Sequence, residues 1–111
     1  CQGLTYDGTN LISSDSATET IYIHSGISST ILEAFAAPAT SPKGLAYDGA
    51  NLISSDDVND KIYKHSGITT TITDEFLTPD TYPSGLTYDG DETNLISCDP
   101  GTDKIYKHSG I

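Results

Sequence analysis

Gly44-Leu45-Ala46-Tyr47-Asp48-Gly49, followed by Asn51-Leu52-Ile53-Ser54-Ser55-Asp56, decides the reading of this chain because it occurs three times. The first copy is Gly3-Leu4-Thr5-Tyr6-Asp7-Gly8 with Asn10 to Asp15, and the third is Gly85-Leu86-Thr87-Tyr88-Asp89-Gly90 with Asn94 to Asp99. Residues 3–43 and 44–84 align without a gap and share 23 of 41 identities. Residues 85–111 match the second copy at 19 of 25 positions once Asp91 and Glu92 are set aside as an insertion. Self-similarity at such a period marks one supersecondary unit stacked on the next.

Each unit reads as four short strands. Gly-Leu-(Thr/Ala)-Tyr leads into an Asp-Gly turn, and Asn-Leu-Ile-Ser follows; Asp-Gly between two apolar runs is a strong hairpin signal. A polar stretch then separates the second strand from a third, Ile21-Tyr22-Ile23-His24, Ile62-Tyr63-Lys64-His65 or Ile105-Tyr106-Lys107-His108. Ser-Gly turns into a fourth, expected from the alternation Ile27, Ser29, Ile31 and Ile68, Thr70, Ile72. The segments around Ala36-Ala37-Pro38 and Thr78-Pro79 read as crossings between units. Long helices find no support in a chain this rich in Thr, Ser, Ile and Tyr.

A four-stranded antiparallel unit of about 40 residues has the size of a β-propeller blade. The order Gly-Leu-Ala-Tyr-Asp-Gly, Asn-Leu-Ile-Ser-Ser-Asp, Asp-Lys-Ile-Tyr-Lys-His resembles blades of the NHL and YncE-like propellers. The resemblance spans the whole chain and speaks to fold rather than activity. Ile12, Ile53 and Ile96 stand where many such blades carry Trp or Tyr, and no WD or GH signature is present. The expectation is an all-β propeller of antiparallel blades: blade 1 at 1–43, blade 2 at 44–84, and blade 3 at 85–111 lacking its outermost strand.

Three blades do not close a ring, since propellers use roughly four to eight. Two chains head to tail, the third blade of each against the first of the other, give a six-bladed homodimer. The rival is that these residues are a fragment of a longer multi-blade chain. The two cysteines bear on this point. Cys98 replaces the Ser of Ser14 and Ser55, and Cys1 aligns with Pro42 and Pro83. One reading is an intermolecular Cys1–Cys98 disulfide stapling the seams, which implies an oxidising, extracellular setting. The other is an unpaired Cys98 and a frayed Cys1.

Composition narrows the function classes. The 111 residues carry five Lys and no Arg against 16 acids, a formal charge of −11. Nucleic acid is excluded as a partner, because phosphate contact needs clustered cations. No apolar run approaches the roughly 18 residues of a helical membrane span, so no membrane partner is expected. With so few cations, few carboxylates are expected in ion pairs, which predicts tolerance to acid.

Candidate chemistry recurs with the repeat. Asp7, Asp48 and Asp89 sit in the Asp-Gly hairpins, where turn chemistry is the plain reading. Calcium is the alternative there and the one cofactor in view, although Asp89-Gly90-Asp91-Glu92-Thr93-Asn94 matches an EF-hand loop only loosely. Tyr6, Tyr47 and Tyr88 on the first strand read as core between blades with a hydroxyl tip, or as rings that stack on sugars. His24, His65 and His108 read as hydrogen-bonded within their blade or to the next, because one copy per unit neither converges on a metal nor supplies differentiated acid, base and nucleophile. No nucleophile elbow, phosphate loop or zinc signature appears.

The expected function is a non-catalytic binding or scaffold propeller, multivalent toward a glycan or protein through repeated surfaces. The alternative, implied by the NHL resemblance, is a metal-dependent lyase or lactonase with its site in the central channel.

Overall fold

A computed structural model describes residues 2–78, 83–88 and 94–109. Eleven strands form among these residues. They are β1 (Gly3–Tyr6), β2 (Leu11–Asp15), β3 (Thr20–His24), β4 (Ile31–Ala36), β5 (Pro42–Tyr47) and β6 (Leu52–Asp56), then β7 (Lys61–His65), β8 (Ile72–Leu77), β9 (Gly85–Tyr88), β10 (Leu95–Asp99) and β11 (Lys104–Lys107). Each sheet is an antiparallel meander: β1-β2-β3-β4, β5-β6-β7-β8 and β9-β10-β11. The register repeats with the sequence. Thr5 lies opposite Ile12 and Ile12 opposite Ile23, as Ala46, Ile53 and Lys64 do in the second sheet and Thr87, Ile96 and Lys107 in the third.

Turn chemistry sets these registers. Gly8 and Gly49 both take φ 98° after their aspartates, a conformation that other residues adopt only under strain. Each third strand is entered through a left-handed residue, Glu19 (φ 54°), Asp60 (φ 54°) or Asp103 (φ 57°). Aspartate tolerates this region better than most side chains. At the hairpin end of the first sheet, the amide N–H of Gly26 donates to Asn10 Oδ1 at 2.9 Å while the N–H of Leu11 donates to Gly26 O at 3.0 Å. Asn51, Gly67 and Leu52 make the same clamp in the second sheet.

The fourth strand departs from expectation. β4 begins at Ile31 and β8 at Ile72, later than the alternation places them, and they end at Ala36 and Leu77, where the crossings between units were expected. The alternating Ile27-Ser29 and Ile68-Thr70 segments are loops instead. The reason is local: Ser25 N–H donates to Thr30 O at 2.7 Å and Ser28 Oγ to Ser25 O at 2.7 Å, so Gly26, at φ 66°, folds the segment back on itself. Ser66, Thr69 and Thr71 repeat the arrangement.

The core lies between sheets. Ile12, Ile21 and Ile23 of the first sheet pack on Leu45 and Leu52 of the second, with Phe35 alongside. Ile53 and Ile62 of the second pack on Leu95 of the third, with Phe76 and Leu86 alongside. Each fully buried Ile or Leu contributes about 1.5–3 kcal/mol, so these two seams hold the fold. The innermost strands approach closely. A Cβ on Gly44 would stand 2.6 Å from the carbonyl oxygen of Ser84, and one on Gly3 would strike that of Lys43. Glycine is required where one backbone enters another's side-chain space.

Candidate functional site

In each sheet the structure pairs a serine with the histidine eleven residues on. Ser13 Oγ lies 2.8 Å from His24 Nε2, Ser54 Oγ 2.9 Å from His65 Nε2, and Ser97 Oγ 2.8 Å from His108 Nε2. Register creates the pairs: Ser13 stands opposite Tyr22 on β3, which brings the next side chain on the same face, His24, onto the diagonal. The other ring nitrogen fixes the tautomer. His24 Nδ1 reaches Ser28 O at 2.8 Å and His65 Nδ1 reaches Thr69 O at 2.6 Å. A carbonyl oxygen only accepts, so Nδ1 carries the proton and Nε2 accepts from the serine hydroxyl.

A serine donating to a neutral, oriented imidazole is the geometry of an activated nucleophile. Burial argues for a different use. Ser54 is 1% exposed and His65 0%, while Ser13 and Ser97 are also buried. Removal from water pushes the His65 pKa down, with the bond to Thr69 opposing, and burial lowers that of His108 as well. The rings of Phe35 and Phe76 cover these histidines at centroid distances of 6.1 and 5.6 Å. The pairs therefore act as internal ties across the strands. The sequence left open whether each histidine bonds within its own sheet or to the next and showed no base beside any serine; the bonds lie within the sheet, and the constant spacing of eleven was the available signal.

The carboxylates of the hairpins serve the backbone. Asp7 Oδ1 accepts from the N–H groups of Thr9 and Asn10 at 2.8 and 2.6 Å, and Asp48 Oδ1 from those of Ala50 and Asn51 at 2.9 and 2.6 Å. Asp15 repeats the device with Ala17 and Thr18, which hold its carboxyl below the usual range. Asp56 does so with Val58 and Asn59 while its second oxygen accepts from Ser41. Asp89 lies outside the described residues. Among the described residues no three of His, Cys, Asp and Glu converge as metal ligands.

Tyr6, Tyr47 and Tyr88 occupy the hairpin ends of β1, β5 and β9, opposite Leu11, Leu52 and Leu95. β1 lies beside β5 and β5 beside β9, so the three form one series along the innermost strands. Tyr6 is exposed, whereas Tyr47 and Tyr88 are half-buried. On the third strands, Tyr63 is buried with its hydroxyl accepting from Asn59 Nδ2 at 3.3 Å, and Tyr22 OH lies 3.2 Å from Thr18 Oγ1. Cys98 is a free thiol, half-buried, with Sγ 3.8 Å from Ser84 Oγ. Cys1 lies outside the described residues. The cations sit at sheet margins: Lys61 Nζ binds Glu75 Oε1 at 2.8 Å and Lys43 Nζ binds Asp57 Oδ2 at 3.6 Å.

No family model matches the chain, and no curated protein matches it. Solved structures do. The chain superimposes on Myxococcus xanthus glutaminyl cyclase with a TM-score of 0.77 at 11% identity, covering 96% of this chain and 53% of that one. It superimposes on the β-propeller domain of Myceliophteria thermophila Cps50 (Swd1) with a TM-score of 0.74 at 15% identity, covering 97% and 40%. For Kuenenia stuttgartiensis hydrazine synthase the values are 0.67 and 18%, covering 95% and 34%. The chain thus spans about half or less of each of these proteins. At such identities the likeness concerns the backbone alone: an all-β chain of antiparallel sheets arranged as in a β-propeller.

Proposed function

We propose that this chain is a non-catalytic binding or scaffold module, a propeller of NHL or YncE-like type whose ring of six blades is completed by a second, head-to-tail copy. The observation that carries the non-catalytic reading is the burial of the serine in each Ser–His pair. The one constellation with nucleophile-and-base geometry keeps its serine buried in every unit, and in the middle sheet its histidine as well. What the first two units offer at the hairpin end is a Tyr-Asp-Gly tip, held rigid because aspartate Oδ1 accepts from two backbone amides.

Identical tips at fixed spacing suit a multivalent ligand, since weak sites gain avidity when geometry lets them engage together. A glycan is the favoured class, because an aromatic ring beside fixed polar groups stacks on a sugar face; a protein surface is the other. An extracellular setting and an intermolecular Cys1–Cys98 disulfide belong to the same proposal.

The test is a glycan array probed with the wild-type chain and with the Tyr6→Ala/Tyr47→Ala/Tyr88→Ala triple variant, after circular dichroism shows that both fold. Saturable binding by the wild type and its loss in the variant are expected. Binding that survives the triple substitution, or no binding to any glycan, overturns the glycan reading.

A further inference from the structure

The two seams inside the chain follow one pattern, and its two halves reappear uncovered at opposite ends of the molecule. In a seam, the preceding sheet supplies a glycine and two isoleucines: Gly3, Ile12 and Ile21, or Gly44, Ile53 and Ile62. The following sheet supplies two leucines, Leu45 and Leu52 in one seam, Leu86 and Leu95 in the other. The third sheet carries the preceding half again as Gly85, Ile96 and Ile105. Ile62 is 0% exposed, but its counterpart Ile105 is 78% exposed. The first sheet carries the following half as Leu4 and Leu11. Leu45 is 2% exposed, and its counterpart Leu4 is 58% exposed.

Polar detail agrees. Ser14 Oγ accepts from the N–H of Gly3 and donates to Lys43 O at 3.1 Å on the next sheet. Ser55 Oγ accepts from Gly44 N–H and donates to Pro83 O at 3.4 Å. Cys98 holds this position in the third sheet, with Sγ 2.7 Å from where a Cβ on Gly85 would stand. Around it lies a cleft of about 260 Å³ lined by Gly85, Leu86, Ile96, Cys98 and Ile105. Glycines 3 and 44 are required because a carbonyl of the following sheet, Lys43 O or Ser84 O, enters their side-chain space. The residue aligned with Lys43 and Ser84 in the first unit is Gln2, whose N–H donates to Ser14 O at 2.8 Å just as that of Ser84 donates to Cys98 O at 3.1 Å.

We infer that the cleft on the third sheet is the docking site for the first sheet of a second copy of this chain. Ile96 and Ile105 receive Leu4 and Leu11, and Gln2 O enters the space left by Gly85. The occupant is a second copy because the chain itself carries both halves, and because the contact continues an interface already made twice within it. Such a contact is heterologous, and two chains close it at both ends. The inference gives residues to the self-completed ring proposed above and rests on that part of it alone; it is independent of glycan binding.

Native mass spectrometry and light scattering test it on the wild type, Leu4→Glu, Ile105→Lys and an equimolar mixture of the two variants. Both substitutions fall on exposed positions, so each chain keeps its circular dichroism spectrum and melting profile as a monomer. The wild type is expected at twice 11.8 kDa. Each variant alone is expected at the single mass, its dimer weakened by about a hundredfold or more through burial of an unpaired charge. The mixture is expected to regain the double mass, because one seam is then unmodified and the other sets opposite charges face to face. A wild-type dimer that both variants leave intact overturns this seam while self-association stands. A wild-type monomer overturns the second copy as occupant and the self-completed ring with it, whatever the glycan array shows.

Discussion

The middle sheet and the two end sheets are built from nearly the same residues and meet different fates. Ile53, Ile62, Leu45, Leu52 and His65 are all buried in the middle sheet, between two neighbours. Their counterparts on the outward faces, Ile105 and Leu4, stand in the open, and His24 keeps part of its surface exposed. A repeat encodes an interface position. Whether that position is filled depends on what stands next to it, so one isoleucine is core in one unit and unpartnered surface in the next.

Paired substitutions break this comparison most directly. Ile62→Ala should destabilise the chain by about 2–5 kcal/mol, as a cavity-forming core truncation does. Ile105→Ala should shift stability by less than about 0.5 kcal/mol in a monomeric background such as Leu4→Glu. Urea unfolding followed by circular dichroism measures both, and equal losses at the two positions would mean that Ile105 is covered without a partner. Gly44→Ala comes next, at about 1–3 kcal/mol, because the new Cβ would stand 2.6 Å from a backbone oxygen that side-chain adjustment does not move.

The Ser–His ties sharpen the comparison. Ser54→Ala leaves His65 Nε2 buried without its donor and should cost about 1–3 kcal/mol. Ser13→Ala should cost less, since His24 is half-exposed and water can replace the hydroxyl. The histidines also set a pH dependence. Burial lowers the pKa of His65 and His108 below the unfolded value of about 6.5. The unfolded chain therefore binds more protons below that pH, and stability present at pH 7 is lost as pH falls below about 6.5 toward the folded values. Melting temperatures at pH 7.5 and 5.5 should differ, and His65→Gln should narrow the gap; an unchanged gap would place the titration elsewhere. The smallest effect belongs to Lys61→Ala, whose exposed ion pair with Glu75 should leave the melting temperature unchanged.

Much of this architecture was legible along the chain. The period, the Asp-Gly turns and the short apolar runs of the first three strands are local signals, and local signals survive in one dimension. The fourth strand was misplaced because Ile27-Ser29-Ile31 imitates an extended face, while Gly26 and the Ser28 hydroxyl bend the segment through contacts that periodicity does not register. The serine–histidine ties escaped for a related reason: their partners meet only after two strands pair. The acid tolerance expected from few ion pairs also looked in the wrong place. Asp15 is held below the usual carboxylate range by backbone amides rather than by a lysine, and a buried imidazole opposes protonation on its own account.

The asparagine clamp has a consequence for what this molecule can be made to carry. Asn10 and Asn51 pin the chain where it re-enters the sheet, using a glycine amide from the far side of the unit as anchor. Whatever lies between the inner tyrosine and that asparagine is a detachable cap, closed at its base by the clamp. The third unit already lengthens this interval by two residues, Asp91 and Glu92, ahead of Asn94. Foreign peptides spliced after Gly8 or Gly49 would be displayed on short stalks along one edge of the molecule, each insulated from its neighbour and from the core. The repeat is then a rack of interchangeable loops, and its spacing is the ruler by which a presented epitope would be arrayed.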